Sequence, residues 1–125
     1  MLLALLLAGG WAPAADLTAD FSGTIRPLLQ EHCLGCHSTE KHKGDLDLER
    51  IASAAEMRRH PGIWEGVIEQ VGSGEMPPKD KPPMAVADRT KLLQWVNGLL
   101  DEIATERAGD PGPVVLRRLS NAEYT

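Results

Sequence analysis

The longest regular pattern of apolar positions runs from Val86 to about Arg107. Leu92, Val96, Leu99 and Ile103 recur at three- and four-residue spacing, with Leu93, Trp95 and Leu100 widening the stripe. That period predicts an amphipathic α-helix. Gly98 falls inside it at a cost of about 1 kcal/mol against alanine, so the position either tolerates glycine or lets another helix cross closely. A second helix is predicted within residues 62–74, where Ile63, Trp64, Val67, Ile68 and Val71 share a face and Gly72 and Gly74 supply the stop. Leu48 to Arg59 has helical composition and ends before Pro61. Nearer the N-terminus Ile25, Leu28, Leu29 and His32 mark one helical face, with Thr24 as N-cap and Pro27 in the first turn, where backbone amides lack intrahelical acceptors. Asp16 to Gly23 reads as a short polar lead-in.

Two stretches break the pattern. Residues 38–47 are polar, contain Gly44 and read as loop. Residues 75–84, EMPPKDKPPM, carry four prolines in ten positions. Proline removes amide donors and fixes φ, so this segment is a stiff extended loop that holds its side chains in place. No segment shows the apolar alternation of a strand, and the fold class expected is all-α.

The ends differ from the middle. Residues 2–8, LLALLLA, are followed by Gly9, Gly10, Trp11 and the small-residue run Ala12 to Ala15. This is the order of an export signal and its cleavage site, although no Lys or Arg precedes it. The apolar stretch is shorter than the roughly 20 residues that a bilayer span needs. The expected organisation is a signal over residues 1–15, one domain over 16–108, and a linker with the start of a further domain over 109–125.

Composition narrows the functional classes. The chain has 125 residues, 42% hydrophobic and 25% charged, with a formal charge of −5. That is one ordinary globular domain, and without clustered Lys and Arg it offers no nucleic-acid surface. Aromatic residues make up only 4%, so a bulky buried cofactor would help fill the core. The two cysteines lie three residues apart and cannot staple distant segments. They are a local chemical site.

That site is Cys33-Leu34-Gly35-Cys36-His37, the C-x-x-C-H attachment sequence of c-type haem. Thiols three apart lie on one side of a helical turn and can add to the two vinyl groups of a porphyrin edge, and His37 then reaches the iron as proximal ligand. Its other ring nitrogen is left to a backbone carbonyl or similar partner that fixes the tautomer. A zinc site from Cys33, Cys36, His37 and His42 lacks a second C-x-x-C pair. A thioredoxin-like redox pair requires a βαβ context that is missing here.

A sixth, methionine ligand stabilises Fe(II) and raises the potential. Met1 belongs to the signal, and Met57 sits in a helix where core packing accounts for it. Met76 lies between the glycine stop and Pro77-Pro78 and is the preferred ligand; Met84, just before a helix, is equally a packing residue. His42 and His60 read as solvated loop histidines. The apolar wall around the cofactor is expected from Leu28, Leu29, Leu34, Trp64, Val67, Ile68, Leu92 and Val96. Lys41, Lys43, Lys79 and Lys81 flank the two ligand segments and are candidates for a positive rim, or simply for solvated loops.

CLGCH, KGDLDLE, a tryptophan-bearing helix, GEMPP and a final helix with LLQWV together resemble the planctomycete-type cytochrome c module over about residues 20–105. The resemblance implies a class I cytochrome c-like fold with helices wrapped around one covalent haem c. Cys33 and Cys36 would carry it, His37 would be proximal and Met76 distal, and Trp95 would pack in the terminal helix against the first. VVLRRLSNAEYT, at the end of the chain, resembles the opening of the domain of unknown function that follows this module in large exported proteins. The expected function is therefore a tethered electron-transfer module, exported to the periplasm or cell envelope, serving a redox partner protein or a downstream domain of the same chain. Two alternatives are a haem enzyme of peroxidase type with a displaceable sixth ligand, and a zinc-stabilised structural or binding module.

Overall fold

The first helix begins earlier than the sequence pattern places it. In the computed structural model, which describes residues 17–109, a helical stretch opens as α1 (Leu17–Asp20), loosens into a π-helical segment (Phe21–Ile25) and continues as α2 (Arg26–His32). Thr24 is therefore inside a helical run and caps nothing. The long-range partner of this stretch explains the difference. Phe21 is buried against Trp95, ring centroids 5.6 Å apart and tilted by 38°, and Trp95 Nε1 donates to the Leu17 carbonyl at 3.2 Å. Polar composition made Asp16 to Gly23 look like a lead-in, but one buried phenylalanine suffices to fold it onto a distant helix.

The middle of the chain holds a 3₁₀ turn (Lys43–Asp45), then α3 (Ala54–Arg59) and α4 (Pro61–Gly72). Only the second half of the expected Leu48–Arg59 helix forms. Leu48 and Ile51 are buried in a non-helical segment, where the Leu48 amide donates to the His37 carbonyl at 2.9 Å and the Arg26 guanidinium binds the carbonyls of Ile51 (2.9 Å) and Glu49 (3.3 Å). Backbone groups used in this way are not available to a helix ladder. α3 starts where Ser53 can cap it, its Oγ accepting from the Glu56 amide at 3.2 Å; Ser53 and Glu56 are spaced as in a capping box.

α5 (Val86–Arg107) matches the expected helix at both ends. Leu92, Trp95, Val96, Leu99 and Ile103 are buried along it. α4 packs on α5, α3 touches both, and the π-helical segment also contacts α5. A Cβ at Gly98 would lie 3.9 Å from Leu17 Cδ2, an ordinary contact, so that glycine is tolerated rather than demanded. Trp64 is wholly buried and its Nε1 donates to the Met57 carbonyl at 3.1 Å, tying α4 to α3. Arg58 on α3 pairs with Glu102 and Glu106 of α5, a largely solvated link worth little beside the apolar contacts.

Among the described residues there are helices and no strands, as the all-α expectation has it. No helix among them is long and apolar enough to cross a membrane. The signal-like segment over residues 1–15 and all but the first residue of 109–125 lie outside the described residues.

Candidate haem site

The C-x-x-C-H segment closes a single turn at the end of α2. Cys33 and Leu34 amides donate to the Leu29 carbonyl, both at 2.9 Å, and the Cys36 and His37 amides donate to the Cys33 carbonyl at 3.2 and 3.0 Å. These bonds place Cys33, Cys36 and His37 on the wall of one cleft. Neither cysteine is in a disulfide. Burial pushes the Cys33 thiol up to about 11, so at neutral pH it is held as the protonated thiol.

The KGDLDLE segment then grips this turn from outside. The Lys43 amide donates to the Cys36 carbonyl at 3.0 Å, and the Lys43 carbonyl lies 2.9 Å from His37 Nδ1. A carbonyl can only accept, so Nδ1 carries the proton and Nε2 keeps the lone pair that a metal needs. Gly44, at φ +67°, supplies the left-handed step that directs the Lys43 carbonyl back towards the imidazole.

Asp47 fastens the outer side of the loop. Its Oδ1 accepts from Thr39 Oγ1 (3.2 Å) and from the Glu49 (3.1 Å) and Arg50 (3.3 Å) amides. Desolvation pushes this carboxyl up, but those hydrogen bonds and the Arg50 guanidinium outweigh it and hold the group below its ordinary 3.8. A carboxyl depressed in the fold contributes stability above its unfolded pKa and loses it as pH falls through the folded value. Below about pH 4, protection of the Glu49 and Arg50 amides, relative to their intrinsic exchange rates, is therefore expected to fall in the wild type. In Asp47→Ala it should be low at all pH values, and equal protection in the two proteins would show that the carboxylate does not hold the loop.

The opposite wall comes from α4 and the proline-rich loop. The Met76 amide donates to the Gln70 carbonyl at 2.9 Å, after Gly74 has turned the chain at φ +85°. Met76 and Met84 both line the cleft. They are not equivalent, because Met84 is 5% exposed and part of the core, whereas Met76 is only packed against its edge. His42 and His60 are exposed and line nothing there. His32 does line it, with Nε2 buried and without a hydrogen-bond partner, 3.8 Å from the Glu31 carboxylate.

The cleft measures about 1040 Å³, at the upper end of ligand pockets, which run to roughly 1,000 Å³. Its apolar lining corrects the expected wall. Of the residues anticipated, Val67 is there, while Leu28, Leu29, Trp64, Leu92 and Val96 are buried in the helix core and do not line the cleft. Leu34 and Ile68 only pack at the core's edge. The cleft wall comprises instead Leu46, Leu48, Ile63, Val71, Pro77, Pro78 and Pro82. Helical period marks a residue as inward-facing but does not say whether it meets another helix or a cavity.

The lysine expectation is met in part. Lys41, Lys43 and Lys81 line the cleft and Lys79 does not, because a turn from Pro78 to Lys81, closed by a 2.9 Å amide-to-carbonyl bond, separates the two. Glu31, Asp45 and Asp80 stand among them, so the rim is of mixed sign. Among the described residues no three His, Cys, Asp or Glu side chains converge as a metal-binding group. Two thiols and an imidazole on one wall, a thioether on another and a large apolar volume between them are suited to a covalently held porphyrin.

Among the described residues, helices without strands, a C-x-x-C-H turn and an apolar cleft are the features of a cytochrome c-type module. Residues 33–80, from the first cysteine through the proline-rich loop, match the family model described as planctomycete cytochrome C, and the family implies haem c and an extracytoplasmic location. No curated protein and no solved structure matches the chain.

Proposed function

We propose that the chain is an electron-transfer module carrying a single haem c, bound through Cys33 and Cys36 and ligated by His37 and Met76. The observation that carries this reading is the state of His37: its Nδ1 is committed to the Lys43 carbonyl while the ring lines the same cleft as both thiols and Met76. When bound, the haem supplies a one-electron Fe(III)/Fe(II) couple. The protein's part is positional. Cys33 and Cys36 would hold the porphyrin, the Lys43 carbonyl orients His37 and raises its basicity, and the proline-rich loop would offer the Met76 thioether as a second ligand. Leu46, Leu48, Ile63 and Val67 limit water and thereby tune the potential.

With His37 and Met76 both committed to the iron, the module would exchange electrons rather than turn over a substrate. The module serves a redox partner protein or a downstream domain of a larger exported chain. The test is the optical spectrum, oxidised and reduced, of protein expressed in a periplasm with haem-attachment machinery. Covalent haem with the weak near-infrared band of Fe(III)–methionine ligation is expected. Zinc copurifying without haem would overturn the reading, and haem without the band that binds carbon monoxide when reduced would favour an open-site enzyme.

A further inference from the structure

Two glycines on α4, Gly62 and Gly66, have no reason within the chain. Gly44 and Gly74 occupy left-handed backbone, where a side chain is strained. Gly62 and Gly66 have no such φ, and a Cβ built on either meets nothing within 4 Å. Neither backbone conformation nor a crowding neighbour calls for glycine at these positions. Within a helix glycine is less favourable than alanine, so α4 by itself would be better formed without them.

What lies beside them is the cleft. Gly62 and Gly66 are one helical turn apart, and both line it together with Ile63, Val67 and Gln70. The same strip of α4 carries Gln70, whose carbonyl holds the Met76 amide at 2.9 Å. Bare backbone along the strip lets a flat ring system approach to van der Waals distance, which a Cβ and its substituents would prevent.

We infer that Gly62 and Gly66 form a flat backbone surface of α4 against which the porphyrin packs, so that these positions are kept free of side chains by the cofactor and not by the fold. The inference rests on the haem reading above and adds to it the residues that set how far the ring sits from α4, and hence its reach to Met76. Bulk at Gly66 displaces the ring from the thioether, whereas the same bulk at Glu69, which is exposed and does not line the cleft, has no such effect.

The test uses the full chain loaded with haem in a periplasm, comparing wild type, Gly66→Ala, Gly66→Leu and Glu69→Leu. For Gly66→Leu the expected result is about a tenfold fall in covalent haem per chain, or haem that has lost the near-infrared band and binds carbon monoxide. Gly66→Ala keeps the fold and gives the decisive sign. It is expected to weaken the band and lower the melting temperature of the haem protein, whereas helix propensity alone raises that temperature. Glu69→Leu should match the wild type. A Gly66→Ala protein with an unchanged band and a raised melting temperature would overturn the inference, as would equal haem loss in Glu69→Leu. Absence of haem from the wild type would instead overturn the proposed function, so the two failures are separable.

Discussion

Replacing Met76 by alanine is expected to remove the near-infrared Fe(III)–methionine band, admit carbon monoxide to the reduced protein and lower the midpoint potential by on the order of 0.1 V. Met84→Ala is expected to do none of these. Its cost falls on stability, about 2–5 kcal/mol, the usual loss for truncating a buried methionine. The two residues separate because Met84 is 5% exposed and packed in the core, while Met76 sits at the cleft edge on a short loop fixed at its amide. Spectra and chemical denaturation on the two variants check both halves. Loss of the band in Met84→Ala with retention in Met76→Ala would reverse the ligand assignment.

Trp64→Ala is expected to be the most damaging change in the core. The side chain is fully buried, and its indole nitrogen serves the Met57 carbonyl. Truncating a buried tryptophan costs about 3–5 kcal/mol, and deletion of the donor leaves the Met57 carbonyl with the His60 amide, at 3.1 Å, as its remaining partner. Against a typical domain stability of about 5–15 kcal/mol, the variant should be marginally folded at 37 °C. Trp64→Phe, which keeps much of the packing and loses the hydrogen bond, should cost about 1–3 kcal/mol. Thermal melts of the two proteins give the comparison, and a Trp64→Ala melting temperature near that of wild type would show that α3 and α4 are held together by other contacts.

The parts of the fold legible in the sequence are those whose cause is local. α5 was readable end to end because a long apolar stripe and the proline-rich loop before it bound the helix on their own. The turn that sets Cys33, Cys36 and His37 side by side on one cleft wall was readable because their spacing leaves little for the rest of the chain to decide. Ser53 and Glu56 carried a local signal for the start of α3 that helical composition from Leu48 onward obscured.

Other features depended on partners far along the chain. The helical stretch from Leu17 to Ile25 forms because Phe21 and the Leu17 carbonyl both meet Trp95 on α5. Leu48 to Ser53 stays out of helix because its backbone is engaged by His37 and Arg26. Neither contact has a signature in the neighbouring residues.

By itself, then, the amino-acid sequence determined the chemistry of the site: two thiols and an imidazole at fixed spacing, a methionine on a stiff loop, and helices to surround them. Only the tertiary structure decided which apolar residues face the cleft and which face other helices. It also decided that Lys81 and not Lys79 reaches the rim, that the Lys43 carbonyl fixes the His37 tautomer, and that α4 turns Gly62 and Gly66 towards the cleft. The physical reason is one of range. Periodicity and motif spacing encode what a residue does within a few positions of itself, whereas a cavity is bounded by segments that meet only when the chain has folded.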